Sequence, residues 1–72
     1  MTAFEAIKQI IEERSRDGIV PLSAPFHLAR LLSELPTDEF IKQIQELEKL
    51  GAIRYQLGIN SYNLVIEDKY GM

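Results

Sequence analysis

Two helix-breaking signals, Leu35-Pro36-Thr37 and Leu50-Gly51, divide the middle of the chain and most restrict what it can fold into. Pro36 cannot continue a helix, because it lacks a backbone donor and its ring clashes with the preceding turn. The apolar-periodic segments on its two sides must therefore be separate helices. Before the break, Leu28, Ala29, Leu31 and Leu32 form a stripe at helical spacing with Phe26 at its edge, while His27, Arg30 and Glu34 point away. Ser23 is the expected cap of this helix, which carries Pro25 in its first turn and runs to about Ser33. After the break, Thr37 is the expected cap of a helix beginning near Asp38. Asp38 and Glu39 suit the positive end of its dipole, and Phe40, Ile41, Ile44, Leu47 and Leu50 form its buried face. Gly51 ends it.

The flanks complete the pattern. From Thr2 to Arg16, Ala3, Phe4, Ile7, Ile10 and Ile11 recur at helical spacing opposite Glu5, Lys8, Gln9, Glu12, Glu13 and Arg16. Thr2 with Glu5 forms a capping-box pattern, and Gly18 supplies the stop. Ile19-Val20-Pro21-Leu22 is β-branched but contains proline, which restricts it to an edge strand or an extended connector; a short third strand is expected at 19–22. After Gly51, Ala52 to Leu57 alternates apolar with polar, Gly58 to Ser61 reads as a turn, and Tyr62 to Ile66 returns. Tyr55 and Tyr62 are expected to face each other across this hairpin. The fold class is α+β, a three-helix core with a small antiparallel hairpin, in one domain over 1–67 with a flexible tail at 68–72.

Composition narrows the function classes. At 72 residues, only about 60% of the unfolded chain's surface is buried on folding, so every apolar stripe is needed. The chain has no cysteine, which excludes disulfides and thiolate metal sites. Met1-Thr2-Ala3-Phe4-Glu5 lacks the basic start and apolar run of a signal peptide, and no segment approaches the ~20 apolar residues that span a bilayer. A soluble cytoplasmic protein with no membrane contact is expected. Net charge is −3, whereas nucleic-acid-binding domains are more often basic.

The run Ile44-Gln45-Glu46-Leu47-Glu48-Lys49-Leu50-Gly51-Ala52-Ile53 resembles the close of a recognition helix leading into a wing. Together with the helix, break, helix and hairpin order, it makes the chain similar to the winged helix-turn-helix superfamily of many bacterial and archaeal transcription regulators. The resemblance covers nearly the whole chain. It implies a winged-helix fold and double-stranded DNA as partner, with the second motif helix in the major groove and the hairpin on the backbone. On that reading Lys42, Gln45 and Lys49 meet phosphates or base edges, Gln43 does so from the flank, and Arg54, Gln56, Asn60 and Ser61 serve the wing.

Surface chemistry pulls the other way. Asp38, Glu39 and Glu46 repel phosphates, the wing tip Gly58-Ile59-Asn60-Ser61 has no cation, and an Ile59 exposed there suits protein contact. Two functions therefore stand: DNA binding in transcription regulation, or a protein-interaction module that binds no nucleic acid, with His27, Arg30, Ile59 and Tyr70 as its contact candidates. A homodimer is a further expected partner, through the exposed side of the first helix or the segment around Tyr70. Catalysis is not expected. His27 is the only histidine, no set of ligand residues converges for a metal, and no cofactor motif occurs.

Overall fold

A computed structural model describes residues 1–19, 22–57 and 62–67. Its order is α1 (Ala3–Asp17), β1 (Ala24–Pro25), α2 (Phe26–Ser33), α3 (Thr37–Lys49), β2 (Ile53–Leu57) and β3 (Tyr62–Ile66). The three strands form one antiparallel sheet in the order β1-β3-β2. Three helices with this sheet are compatible with a winged-helix arrangement, β2 and β3 standing where the wing would be. No helix among the described residues is long and apolar enough to cross a membrane.

The ends of the helices follow from local chemistry. The Thr2 hydroxyl accepts from the Glu5 N–H (3.2 Å) while the Thr2 N–H donates to the Glu5 carboxylate (2.8 Å), a closed capping box. That backbone bond, then the hydroxyl, holds the Glu5 carboxyl below its ordinary range. α1 and α3 both stop at a left-handed glycine. Gly18 (φ 71°) and Gly51 (φ 77°) donate to Ser15 and Glu48, and Ile19 and Ala52 donate back to Arg14 and Leu47 at 2.8 and 2.9 Å. This double bond pattern is the Schellman close, and it turns the chain sharply from α3 into β2.

The core is built from Ala3, Ile7, Ala24, Ala29, Phe40, Ile44, Ala52, Ile53 and Leu64. Phe40 lies edge-on to Phe26, with ring centroids 5.0 Å apart. Leu64, on the middle strand, is paired on both sides, with Ala24 and Tyr55. The molecule is thus a three-helix layer closed at one end by the sheet.

Several expected details are displaced. The third strand is not at 19–22 but at Ala24–Pro25; Ile19 and Leu22 are exposed and outside any strand, while residues 20 and 21 are not among those described. Ser23 does not cap α2. Pairing with β3 keeps Ala24 and Pro25 extended, so Pro25 takes the cap position and Ser23 stands too early to reach the helix. Its hydroxyl is buried without a hydrogen-bond partner among the described residues. Thr37 does not cap α3 either, because Pro36 is the last extended residue and its carbonyl accepts from Phe40 (2.9 Å).

The buried stripes are also narrower than the periodicity implies. α2 turns the small residues Ala29 and Ser33 inward, leaving Leu28 and Leu31 each 50% exposed. On α3 only Phe40 and Ile44 are fully buried; Ile41 and Leu50 face outward. A short helix pressed close through small residues cannot cover the large ones on its shoulders. Arg30, expected to point away, is half-buried in the last turn of α2. The expected tail at 68–72 lies outside the described residues.

Candidate functional site

The helix expected to do the recognising, α3, presents three kinds of surface outside its buried line. At 100° per residue, Ile41, Gln45 and Glu48 lie on the side turned to the hairpin. Asp38, Lys42 and Lys49 form the outward ridge, and Glu39, Gln43 and Glu46 face α1. Contacts agree with that division except at Lys42, a ridge residue that also lines the pocket on the α1 side. Glu39, Lys42, Gln43 and Glu46 share a pocket with Thr2 and Phe4 of the α1 end, whereas Ile41 shares one with Tyr55 and Tyr62 of the hairpin.

The α1 side is structural. The Gln43 side-chain oxygen accepts from the Ala3 N–H (2.8 Å) and its amide donates to Glu39 (3.3 Å). Gln43 thereby satisfies one of the free donors at the start of α1, and its amide is already engaged at both ends. A sequence reading misses this use because the bond spans forty positions.

The hairpin side is an open cleft of about 760 Å³ lined by Phe26, Ile41, Tyr55 and Tyr62. Ile41 is 38%, Tyr55 36% and Tyr62 54% exposed. Tyr55 pairs with Leu64, and Tyr62 pairs with Leu57, so the two tyrosines are diagonal neighbours on one face, not directly opposed. Their rings meet edge-on at 5.9 Å, which fixes a rigid apolar wall. Burial, then the Glu48 carboxylate, then Tyr62 raise the Tyr55 hydroxyl above its ordinary pKa. Negative charge therefore borders this wall, and by helical spacing neither lysine of α3 faces it.

The outward ridge holds what remains of the cationic set. Lys42, Gln45 and Lys49 are all exposed on α3. Arg54 and Gln56 project from the other face of β2, and Arg54 bonds the Glu67 carboxylate at 3.1 Å. His27 is exposed beside Phe26 at the start of α2. Ile59, Asn60, Ser61 and Tyr70 lie outside the described residues. The cleft is not legible in the sequence, where Phe26 stands at the edge of one apolar stripe and Ile41 within another. The available signal was the pair Phe40-Ile41: adjacent helical positions diverge by 100°, so one stripe cannot fully bury both.

The chain matches no protein-family model, no curated protein and no solved structure.

Proposed function

We infer that this chain is a winged-helix-type recognition module that docks on a protein partner through the cleft between α3 and the hairpin. The observation that carries this reading is the lining of that cleft: Phe26, Ile41, Tyr55 and Tyr62, bordered by Glu48. In a winged-helix DNA complex the recognition helix enters the major groove while the wing flanks it on the duplex. A DNA strand lying between them would bring phosphates against an apolar wall and a carboxylate, which costs desolvation and Coulomb repulsion. An apolar side chain from a protein, flanked by Lys or Arg, meets both features favourably.

Magnitude points the same way. If Lys42, Lys49 and Arg54 each neutralised one phosphate, binding would weaken with salt at a slope of about −2.7, or roughly 40-fold between 50 and 200 mM salt. Proteins making about 6–10 phosphate contacts lose about a thousandfold or more over that range. Three cations, one of them paired with Glu67, provide a weak grip on DNA.

Double-stranded DNA in transcription regulation is the second reading, and the exposed Lys42 and Lys49 of the outward ridge, with exposed Gln45 beside them, favour it. The two are separated by titrating the ¹⁵N-labelled chain with a short peptide of alternating Lys and Phe, and with the same peptide carrying Glu for Lys. The protein reading expects saturable shifts at Ile41, Tyr55 and Tyr62 with the cationic peptide alone, abolished by Ile41→Lys. Equal binding of both peptides, or shifts confined to the ridge, would contradict it.

A further inference from the structure

The sheet has two edges, and they are not alike. Its strand order β1-β3-β2 puts β1 at one and β2 at the other. Which backbone groups point off each edge follows from one bond. The Glu67 N–H donates to the Ala52 carbonyl at 3.0 Å, and the β2–β3 register, continued by one step, sets Ala52 opposite Glu67. In an antiparallel pair, hydrogen-bonded positions alternate with non-bonded ones. Arg54 with Val65 and Gln56 with Asn63 are therefore the bonded pairs that follow. The N–H and C=O groups of Ile53, Tyr55 and Leu57 turn away from β3, toward the open side.

The same alternation closes the other edge. Asn63 directs its backbone bonds to Gln56, so Pro25, opposite Asn63 on β1, also turns away from β3. The donor that proline lacks is thus not missed inside the sheet, and the outer side of β1 offers none. That strand ends after two residues, where α2 begins. β2 carries none of the usual guards of an edge. It is five residues long, contains no proline, glycine or lysine, and its one charged side chain, Arg54, is held by Glu67. Arg54, Tyr55 and Gln56 are exposed, and no strand among the described residues lies beyond them.

We propose that β2 takes an extended segment of a partner protein as a fourth strand, antiparallel like the rest of the sheet. The proposal rests on the protein-docking reading of the cleft and states how the partner is held there. Tyr55 joins the two surfaces, because its ring walls the cleft while its backbone groups lie on the open edge. A residue set opposite Tyr55 on the added strand exchanges two backbone bonds with it. It stands on the cleft side of the sheet, its Cβ about 5 Å from that of Tyr55. Residues two positions to either side share that face. A Lys or Arg there meets the Glu48 carboxylate that borders Tyr55. The segment that fits therefore carries an apolar residue with a cation two positions away. A second copy of β2 paired about Tyr55 would instead add another Glu48 to the same border.

Amide exchange of the ¹⁵N-labelled chain with the heptapeptide Thr-Lys-Thr-Phe-Thr-Lys-Thr tests it. In the free chain the N–H groups of Arg54 and Gln56 are expected to exchange slowly and those of Tyr55 and Leu57 fast. Saturating peptide should slow Tyr55 and Leu57 about tenfold or more. Two N-methylated peptides give a second route, because methylation removes a backbone donor and keeps the side chain. Methylating the Phe and Lys nitrogens, which face β2, should raise the dissociation constant about tenfold or more. Methylating the inner threonine nitrogens, which face away, should leave it within about twofold. Shifts at Ile41 and Tyr62 without slowed exchange at Tyr55 and Leu57 would overturn the strand while the cleft reading stands. So would methylated peptides that bind alike, or a loss confined to the methylated threonines. If neither this peptide nor the alternating Lys and Phe peptide binds, both readings fall. Slow exchange at Tyr55 and Leu57 in the chain alone, growing with its concentration, would give the edge to a second copy and overturn the proposal.

Discussion

The α3 cleft and the α1–α2 patch are both apolar openings on one small molecule, yet their borders differ in kind. The cleft is walled by aromatic rings and bordered by Glu48, whereas the patch, lined by Ile10, Ile19, Leu28 and Leu32, is aliphatic and bordered by charges of both signs. Apolar area alone does not say what covers a surface, because burial of hydrocarbon is non-directional. The charged rim supplies the discrimination by penalising the wrong partner. One opening is therefore suited to a cationic partner, whereas the mixed border of the other singles out no partner.

The comparison can be broken most severely from below. Phe40 is fully buried and supports Phe26, a wall of the cleft, from the core. Phe40→Ala is expected to cost about 3–5 kcal/mol in denaturant unfolding and to remove both surfaces together. A loss below about 1 kcal/mol would mean that the core does not rest on this ring.

Gly51→Ala acts on one side only. It forces a side chain into the left-handed region at φ 77°, although no atom lies within 4 Å of an added Cβ, so the cost is conformational and about 1–2 kcal/mol. Because Gly51 sets the hairpin against α3, this variant should weaken cleft binding while leaving the NMR shifts of Leu28 and Leu31 unchanged. Changes on both sides would show that the two surfaces are mechanically coupled.

Ser23→Ala has the opposite sign. Removing a buried hydroxyl that has no partner among the described residues should raise stability by about 1 kcal/mol. A fall of similar size would reveal a bond that Ser23 makes.

The smallest effect is at α1, one wall of the aliphatic patch. The Glu5 carboxyl is held below its ordinary pKa by bonds that exist only in the folded chain. Its contribution is present above the ordinary carboxylate range and is lost as pH falls through the lowered folded value. Acid unfolding of Glu5→Gln should lack that component, and cleft binding should not change.

How far the sequence reached follows the range of the interactions. The capping box at Thr2, the glycine stops at 18 and 51 and the alternation of 53–57 depend on neighbours a few residues apart, and each stands where local chemistry sets it. β1 was expected too early because its position depends on pairing Ala24 with Leu64, forty residues away. The exposure of Leu28 and Leu31 was hidden for a related reason. Periodicity marks which residues are apolar, but only packing reveals that α2 sits down on Ala29 and Ser33. The DNA candidates were judged by residue type, and two of them, Gln43 and Arg54, are engaged by partners distant in sequence. Surface chemistry emerges from tertiary placement, whereas helix ends do not.

The most direct test of the cleft's chemistry is the affinity of the intact chain for random-sequence duplex DNA as salt is raised from about 50 mM. Weak binding is expected, fading with a slope no steeper than about −3 per copy, the limit set by Lys42, Lys49 and Arg54. Tight binding with a slope of about −6 or beyond, reduced by Lys42→Ala and Lys49→Ala, would contradict it and return the α3 face to DNA.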